Sequence, residues 1–224
     1  LATKISFINE IANICENVGA DVNQVRIGIG SDARIGYKFI YPGCGYGGSC
    51  FPKDVKALIN ISENNGYTPQ LISSVEYVNK QQKEILFKKV INYFGENLQG
   101  KLFGIWGLAF KPETNDMREA PSINLIKSLI DAGGQVNAYD PQSMDEAKFY
   151  FKGIDVNYCK DKYTTLKNVD ALILVTEWKE FRSPDFSKIK KLMKGNLFID
   201  GRNQFQNKYI ESKGLKYIQI GLKA

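Results

Sequence analysis

Ala171-Leu172-Ile173-Leu174-Val175 is an unbroken apolar run, and its lack of alternation decides the fold. A strand with one wet face alternates apolar with polar residues, whereas a strand covered on both faces does not need to. Related runs occupy Leu102 to Trp106, Gln135 to Tyr139, Leu197-Phe198-Ile199 and, more weakly, Val156-Asn157-Tyr158, with Tyr217 to Ile220 as an edge. Between the first two lies a helical pattern from Ala120 to Ala132, closed by Gly133-Gly134. Strands alternating with helices predict an α/β fold, with a doubly wound parallel sheet from about Lys101. In such sheets ligands bind beyond the carboxyl ends of the strands. Those ends read Phe110-Lys111, Asp140-Pro141, Thr176-Glu177 and Asp200-Gly201-Arg202. Lys111 and Arg202 are expected to share one crevice, as a cradle for a diphosphate.

Upstream of the sheet the pattern is helical. In the opening segment Ile5, Ile8, Ala12 and Cys15 fall on one face, and Phe7, Ile11, Ile14 and Val18 supply another. Two apolar faces predict a helix buried on more than one side, in a core or a two-fold subunit interface. Gly19 suits a C-cap and Asp21 the N-cap of a short helix over Val22 to Ile27. Farther on, Thr68-Pro69 opens a pattern that repeats through Leu71, Val75, Val78, Leu86, Val90 and Phe94 until Gly95. It predicts one rod of about 26 residues, about 39 Å long at 1.5 Å per residue.

Between these helices lies Gly43-Cys44-Gly45-Tyr46-Gly47-Gly48-Ser49-Cys50-Phe51-Pro52-Lys53-Asp54. Pro52 suits a first helical turn, which puts Cys50 just ahead of a helix N-terminus. Unpaired N–H groups there favour a thiolate, and Lys53 adds a cation. Gly28 to Ala33 matches GxGxxA and Gly43 to Gly48 matches GxGxxG, yet neither follows a central strand or opens a long helix with an acidic residue about 20 positions on. Both are expected to be loops of exposed N–H groups that a ligand can approach closely.

Composition narrows the chemistry. The chain has 224 residues, 43% of them hydrophobic and 24% charged, with a formal charge of +6. That charge is modest and no Lys/Arg block stands alone, which favours a small anionic ligand over nucleic acid. Cys15, Cys44, Cys50 and Cys159 have no CxxC spacing and histidine is absent, so neither a metal site nor a disulfide framework is expected. Without histidine, Cys-His hydrolases and Ser-His-Asp triads are excluded. No apolar run approaches the 18 or so residues of a membrane span and no signal-peptide pattern opens the chain, so a cytoplasmic location is the expectation.

Three stretches carry a family resemblance. They are Gly47-Gly48-Ser49-Cys50-Phe51-Pro52-Lys53-Asp54; Gly107-Leu108-Ala109-Phe110-Lys111-Pro112 with Asp116-Met117-Arg118-Glu119-Ala120-Pro121-Ser122; and Asp200-Gly201-Arg202-Asn203. In this order they resemble the nucleotide-sugar 6-dehydrogenases of the UDP-glucose/GDP-mannose dehydrogenase family. The resemblance implies a helical dimerisation region over 1–97 and a Rossmann-like nucleotide-sugar-binding domain over 98–224. It also implies NAD as cofactor, a homodimer, and oxidation of UDP-glucose to UDP-glucuronate in two hydride transfers, a product tied to polysaccharide synthesis. GDP-mannose and UDP-N-acetylmannosamine are the alternative substrates, and a non-catalytic nucleotide-binding dimerisation module is the alternative outside enzymes.

Site roles follow from the same resemblance. Cys50 would be the nucleophile, forming a thiohemiacetal and then a thioester, and Asp54 would support the attacking water or the proton traffic. Arg34, Tyr41, Gly43, Gly45, Tyr46, Gly47, Phe110, Lys111 and Arg202 would bind the nucleotide sugar, with Arg34 reaching it from the partner subunit. Lys53 and Arg118 would touch NAD. Relatives place an NAD-binding domain and a catalytic lysine and asparagine ahead of the helix on which this sequence opens. The expectation is therefore a fragment of a longer enzyme, inactive alone.

Overall fold

A computed structural model describes residues 1–223. The helical region comprises α1 (Ala2–Val18), α2 (Val22–Gly30), α3 (Phe51–Asn64), α4 (Gln70–Gln82) and α5 (Ile85–Phe94). Then follow β1 (Leu102–Trp106), α6 (Pro121–Asp131), β2 (Gln135–Tyr139), α7 (Met144–Tyr150), β3 (Val156–Tyr158), β4 (Ala171–Leu174), α8 (Phe186–Leu192), β5 (Leu197–Asp200), α9 (Asn207–Ser212) and β6 (Lys216–Gln219).

The strands form one parallel sheet in the order β3-β2-β1-β4-β5-β6. The chain winds outward from β1 to β3, then returns beside β1 as β4 and winds the other way, so the strand order reverses between β1 and β4. The apolar run from Ala171 to Val175 is divided between two cores, as a period of two requires. Ala171, Ile173 and Val175 face a core completed by Ile8 and Ala12 of α1, Leu86 and Val90 of α5, and Leu125 and Leu129 of α6. Leu172 and Leu174 face the other, with Trp106, Phe186, Ile189 and Ile210. Covering both faces removes the need for alternation.

In the helical region Gly19, at φ 74°, ends α1, and Asp21 caps α2 by accepting from Asn23 N at 2.8 Å. On α1 the face of Ile8, Ala12 and Cys15 is buried, while Phe7, Ile14 and Val18 stand exposed. Two expectations need correction. The single long rod is broken into α4 and α5: Glu84 N bonds Gln81 O, three residues back, which tightens one turn at Lys83-Glu84. The side chains at this corner are drawn to the glycine loop and to Glu119. The first glycine run is also not a loop. Gly28 and Gly30 lie within α2, so the helix ladder takes up the N–H groups expected to be free.

Candidate functional site

The stretch from Gly43 to Gly48 crosses the carboxyl ends of the central strands, and neighbouring elements hold its backbone on both sides. Asn9 of α1 accepts from Gly43 N at 2.9 Å, and Gln82 of α4 donates to Gly43 O at 2.7 Å. Asn79 binds Tyr46 twice, accepting from its N–H at 2.8 Å and donating to its carbonyl at 3.1 Å. Cys44 N bonds Gly201 O and Gly48 N bonds Arg118 O, which ties the loop to two loops of the sheet domain. The glycines are needed for close approach. A Cβ on Gly47 would lie 2.5 Å from the carbonyl oxygen of Glu119, and one on Gly48, at φ 87°, would lie 2.7 Å from the Phe110 ring. Tyr46 is buried and reaches Glu76 at 3.4 Å; burial, reinforced by Glu76, pushes its phenol up.

Beyond this loop opens a cavity of about 250 Å³ lined by Tyr41, Gly45, Tyr46, Gly47, Phe110, Lys111 and Arg202. Lys111 and Arg202 do share one crevice. Ile5, Phe39, Phe51 and Glu177 complete the wall. Arg202 is set by its own strand end: its N–H donates to Asp200 Oδ1 at 2.8 Å and its Nε to Val175 O at 2.7 Å, with Glu177 Oε2 3.2 Å away as an ion pair. Its Nη2 has no hydrogen-bond partner among the described residues. Beneath it Asp200 is fully buried and accepts from Tyr217 OH at 2.5 Å; burial pushes both groups up. Gly43 packs against the Arg202 side chain, where a Cβ would lie 3.2 Å from Nη1, but is not among the residues lining the cavity. Tyr41 is exposed, and the Arg26 guanidinium sits 4.0 Å over its ring.

Cys50 is exposed at the N-cap position of α3, with Pro52 in the first turn. The other three cysteines are buried and all four are free thiols, and burial pushes the Cys44 thiol up. Asp54, one turn on, donates its backbone N–H to Cys50 O at 2.8 Å, and its exposed carboxylate lies 3.6 Å from Lys53. Phe51 lines the cavity just described. Ser49 lines a second, larger cavity of about 680 Å³. Cys50 thus joins, along the chain, a residue of one cavity to a residue of the other.

The larger cavity is bordered by the first turns of α3 and α6, each with a proline there, and by Lys53, Lys56, Arg118 and Lys127. Asp116 holds the Arg118 guanidinium through both carboxylate oxygens, which keeps the Asp116 carboxyl below its usual range. Lys53 and Arg118 thus line one cavity, and Lys111 and Arg202 line the other. Arg34 joins neither group. Its side chain is 89% exposed, with the guanidinium clamped by Asp32 at 2.6 Å, and it borders a separate hollow near Lys4 and Phe7.

Sequence reading missed the residues that hold the glycine loop. Asn9, Asn79 and Gln82 are buried polar side chains on helices. Their only signal was a polar residue interrupting an apolar face, which carries no address for its partner. Glu177 was legible as a strand end but not as the counter-ion of Arg202.

With this geometry in hand, two family models match the chain. The "UDP-glucose/GDP-mannose dehydrogenase family, central domain" covers residues 1–81, and the "UDP-glucose/GDP-mannose dehydrogenase family, UDP binding domain" covers 104–207. Curated UDP-glucose 6-dehydrogenases from Pseudomonas aeruginosa and Rhizobium meliloti are 47% and 43% identical to it, each over 99% of this chain and 50% of the relative. One from Bacillus subtilis is 44% identical over 99% of this chain and 48% of that relative. Among solved structures, a UDP-glucose dehydrogenase from the archaeon Pyrobaculum islandicum superposes with a TM-score of 0.84 at 31% identity, covering 100% of this chain and 48% of that one. The chain spans about half the length of the curated relatives it matches. A glycine loop and thiol matched by one model, set on a sheet matched by the other, have one common source: the chain belongs to the UDP-glucose/GDP-mannose dehydrogenase family.

Proposed function

We propose that this chain supplies the nucleotide-sugar seat and the nucleophile of a UDP-glucose 6-dehydrogenase. The observation that carries the reading is the cavity in which the partnerless Nη2 of Arg202 meets Lys111 and the glycine loop, with the exposed Cys50 next in the chain to Phe51 of its wall. A diphosphate satisfies the guanidinium and the ammonium together. Phe110 and Tyr41 offer rings for the base or sugar, and the glycine backbone allows the sugar to lie close to the loop. Curated relatives of this chain bear the name UDP-glucose 6-dehydrogenase.

The larger cavity suits the phosphates of a dinucleotide held mainly by the NAD-binding domain that relatives carry: two helix N-termini border it, and Lys53, Lys56 and Arg118 line it. C6 of the sugar gives up two hydrides, one to each of two NAD molecules bound in turn; the first hydride and the C6 hydroxyl proton leave together, giving the aldehyde. In between, the Cys50 thiolate bonds to the aldehyde carbon and the carbonyl oxygen takes up a proton, giving a thiohemiacetal. Loss of the second hydride and the hydroxyl proton leaves a thioester. Water then attacks the acyl carbon, the C–S bond breaks, and carboxylate and thiolate result. Asp54, on the same helical face as Cys50 four residues on, orients the water and takes its proton. A second copy of the chain covers the exposed Phe7, Ile14 and Val18 face of α1, and Arg34 serves the neighbouring site of that dimer.

Calorimetric titration of the chain with UDP-glucose, UDP-N-acetylmannosamine and GDP-mannose tests the seat. UDP-glucose is expected to bind tightest, with Arg202→Ala weakening it by about tenfold or more. Equal binding of all three, or no effect of Arg202→Ala, overturns the reading.

A further inference from the structure

A further cavity, of about 380 Å³, lined by none of the residues of the hollows already described, lies between the end of α1, α5 and the edge strand β6. Lys88, Lys89, Lys216 and Lys223 line it. Its one carboxylate among the described residues is Glu16, and that group is already engaged: Glu16 Oε1 accepts from Lys89 Nζ at 2.6 Å and from Gly221 N at 2.7 Å. Lys88 and Lys216 make no ion pair among the described residues, and Lys216 Nζ instead lies 4.8 Å over the Tyr93 ring. Ammonium groups gathered in a concave wall repel one another, and an anion entering the hollow relieves that repulsion while accepting several charge-assisted hydrogen bonds.

We propose that this cavity binds a small phosphate-bearing ligand, separate from the nucleotide-sugar seat. The lysines take the phosphate. Tyr93 and Ile218 form an apolar wall against which a base or sugar ring can lie. Two probes distinguish a bare phosphate ligand from a nucleotide: inorganic pyrophosphate, which uses only the lysines, and AMP, which also uses the wall.

The test follows backbone amide resonances of Tyr93, Lys216 and Ile218 while each probe is added to the chain, with and without saturating UDP. Both probes are expected to shift these resonances, UDP to leave the shifts in place, and Lys88→Gln/Lys216→Gln to weaken binding about tenfold. Both lysines are exposed, so the double variant keeps its fold. Tighter binding of AMP than of pyrophosphate assigns a nucleotide, and the reverse assigns an inorganic or simple sugar phosphate. No shift at millimolar probe, shifts abolished by UDP, or unchanged affinity in the double variant overturns the proposal.

Discussion

Lys83 Nζ donates to Glu119 Oε2 at 2.7 Å, joining the corner between α4 and α5 to the loop ahead of α6. Glu119 also takes Lys56 of α3 at 2.9 Å, so one carboxylate fastens the helix behind Cys50, the corner under the glycine loop and the sheet domain. These hydrogen bonds hold the Glu119 carboxyl at about 2, below its ordinary 4.5.

Glu119→Gln is therefore expected to lower stability by about 1–2 kcal/mol at neutral pH, a loss moderated by the 43% exposure of the Glu119 side chain and enlarged by the buried Lys83 ammonium it strands. Because the folded carboxyl sits lower than the unfolded one, this contribution is complete above the unfolded value near 4.5 and disappears as pH falls toward 2. Urea midpoints of the two proteins should differ at pH 7 and converge by about pH 2.

Cys50 is the exposed thiol among three buried ones. Iodoacetamide is expected to label it alone, as read by peptide mass spectrometry, and Cys50→Ala to abolish labelling. With UDP-glucose at about ten times its Kd, labelling should slow about tenfold. An unchanged rate would separate the thiol from the cavity that Phe51 lines.

Gly47→Ala puts a methyl group 2.5 Å from the backbone oxygen of Glu119. Backbone cannot rotate away as a side chain can, so the glycine loop must shift. The expected cost is about 1–3 kcal/mol by chemical denaturation, with UDP-glucose affinity falling in parallel.

Asp140, buried at the end of β2, accepts from the N–H groups of Leu108, Ala109, Gln142 and Ser143 and from Trp178 Nε1. Asp140→Asn turns an amide NH2 against donors on one side. A loss of about 2–4 kcal/mol is expected, together with a shift in Trp178 fluorescence.

Phe7 and Leu71 stand exposed on either side of a groove between α1 and α4. If a second copy covers this face, Phe7→Glu should yield a monomer by light scattering while the sheet's far-ultraviolet signature remains.

Local sequence determined much of this protein. The unbroken Ala171–Val175 run determined a sheet covered on both faces, since burying both sides removes the pressure for polar residues at alternate positions. Pro52 after Cys50 determined a thiol at a helix start, because proline's fixed φ and missing N–H suit that turn. Strand ends pointed to Lys111 and Arg202, because a parallel sheet collects its carboxyl ends on one side. Only the tertiary structure decided the break between α4 and α5, where helical periodicity runs on but the Gln82 and Lys83 side chains are drawn to Gly43 O and Glu119. It also decided that Asn9, Asn79 and Gln82 carry the glycine loop, and that Ser49 and Phe51, the neighbours of Cys50, line two different cavities. Contacts of this kind join residues up to 205 positions apart, as Glu16 and Gly221 are. Pairings at that range follow from how the helices pack on the sheet, and no local pattern encodes them.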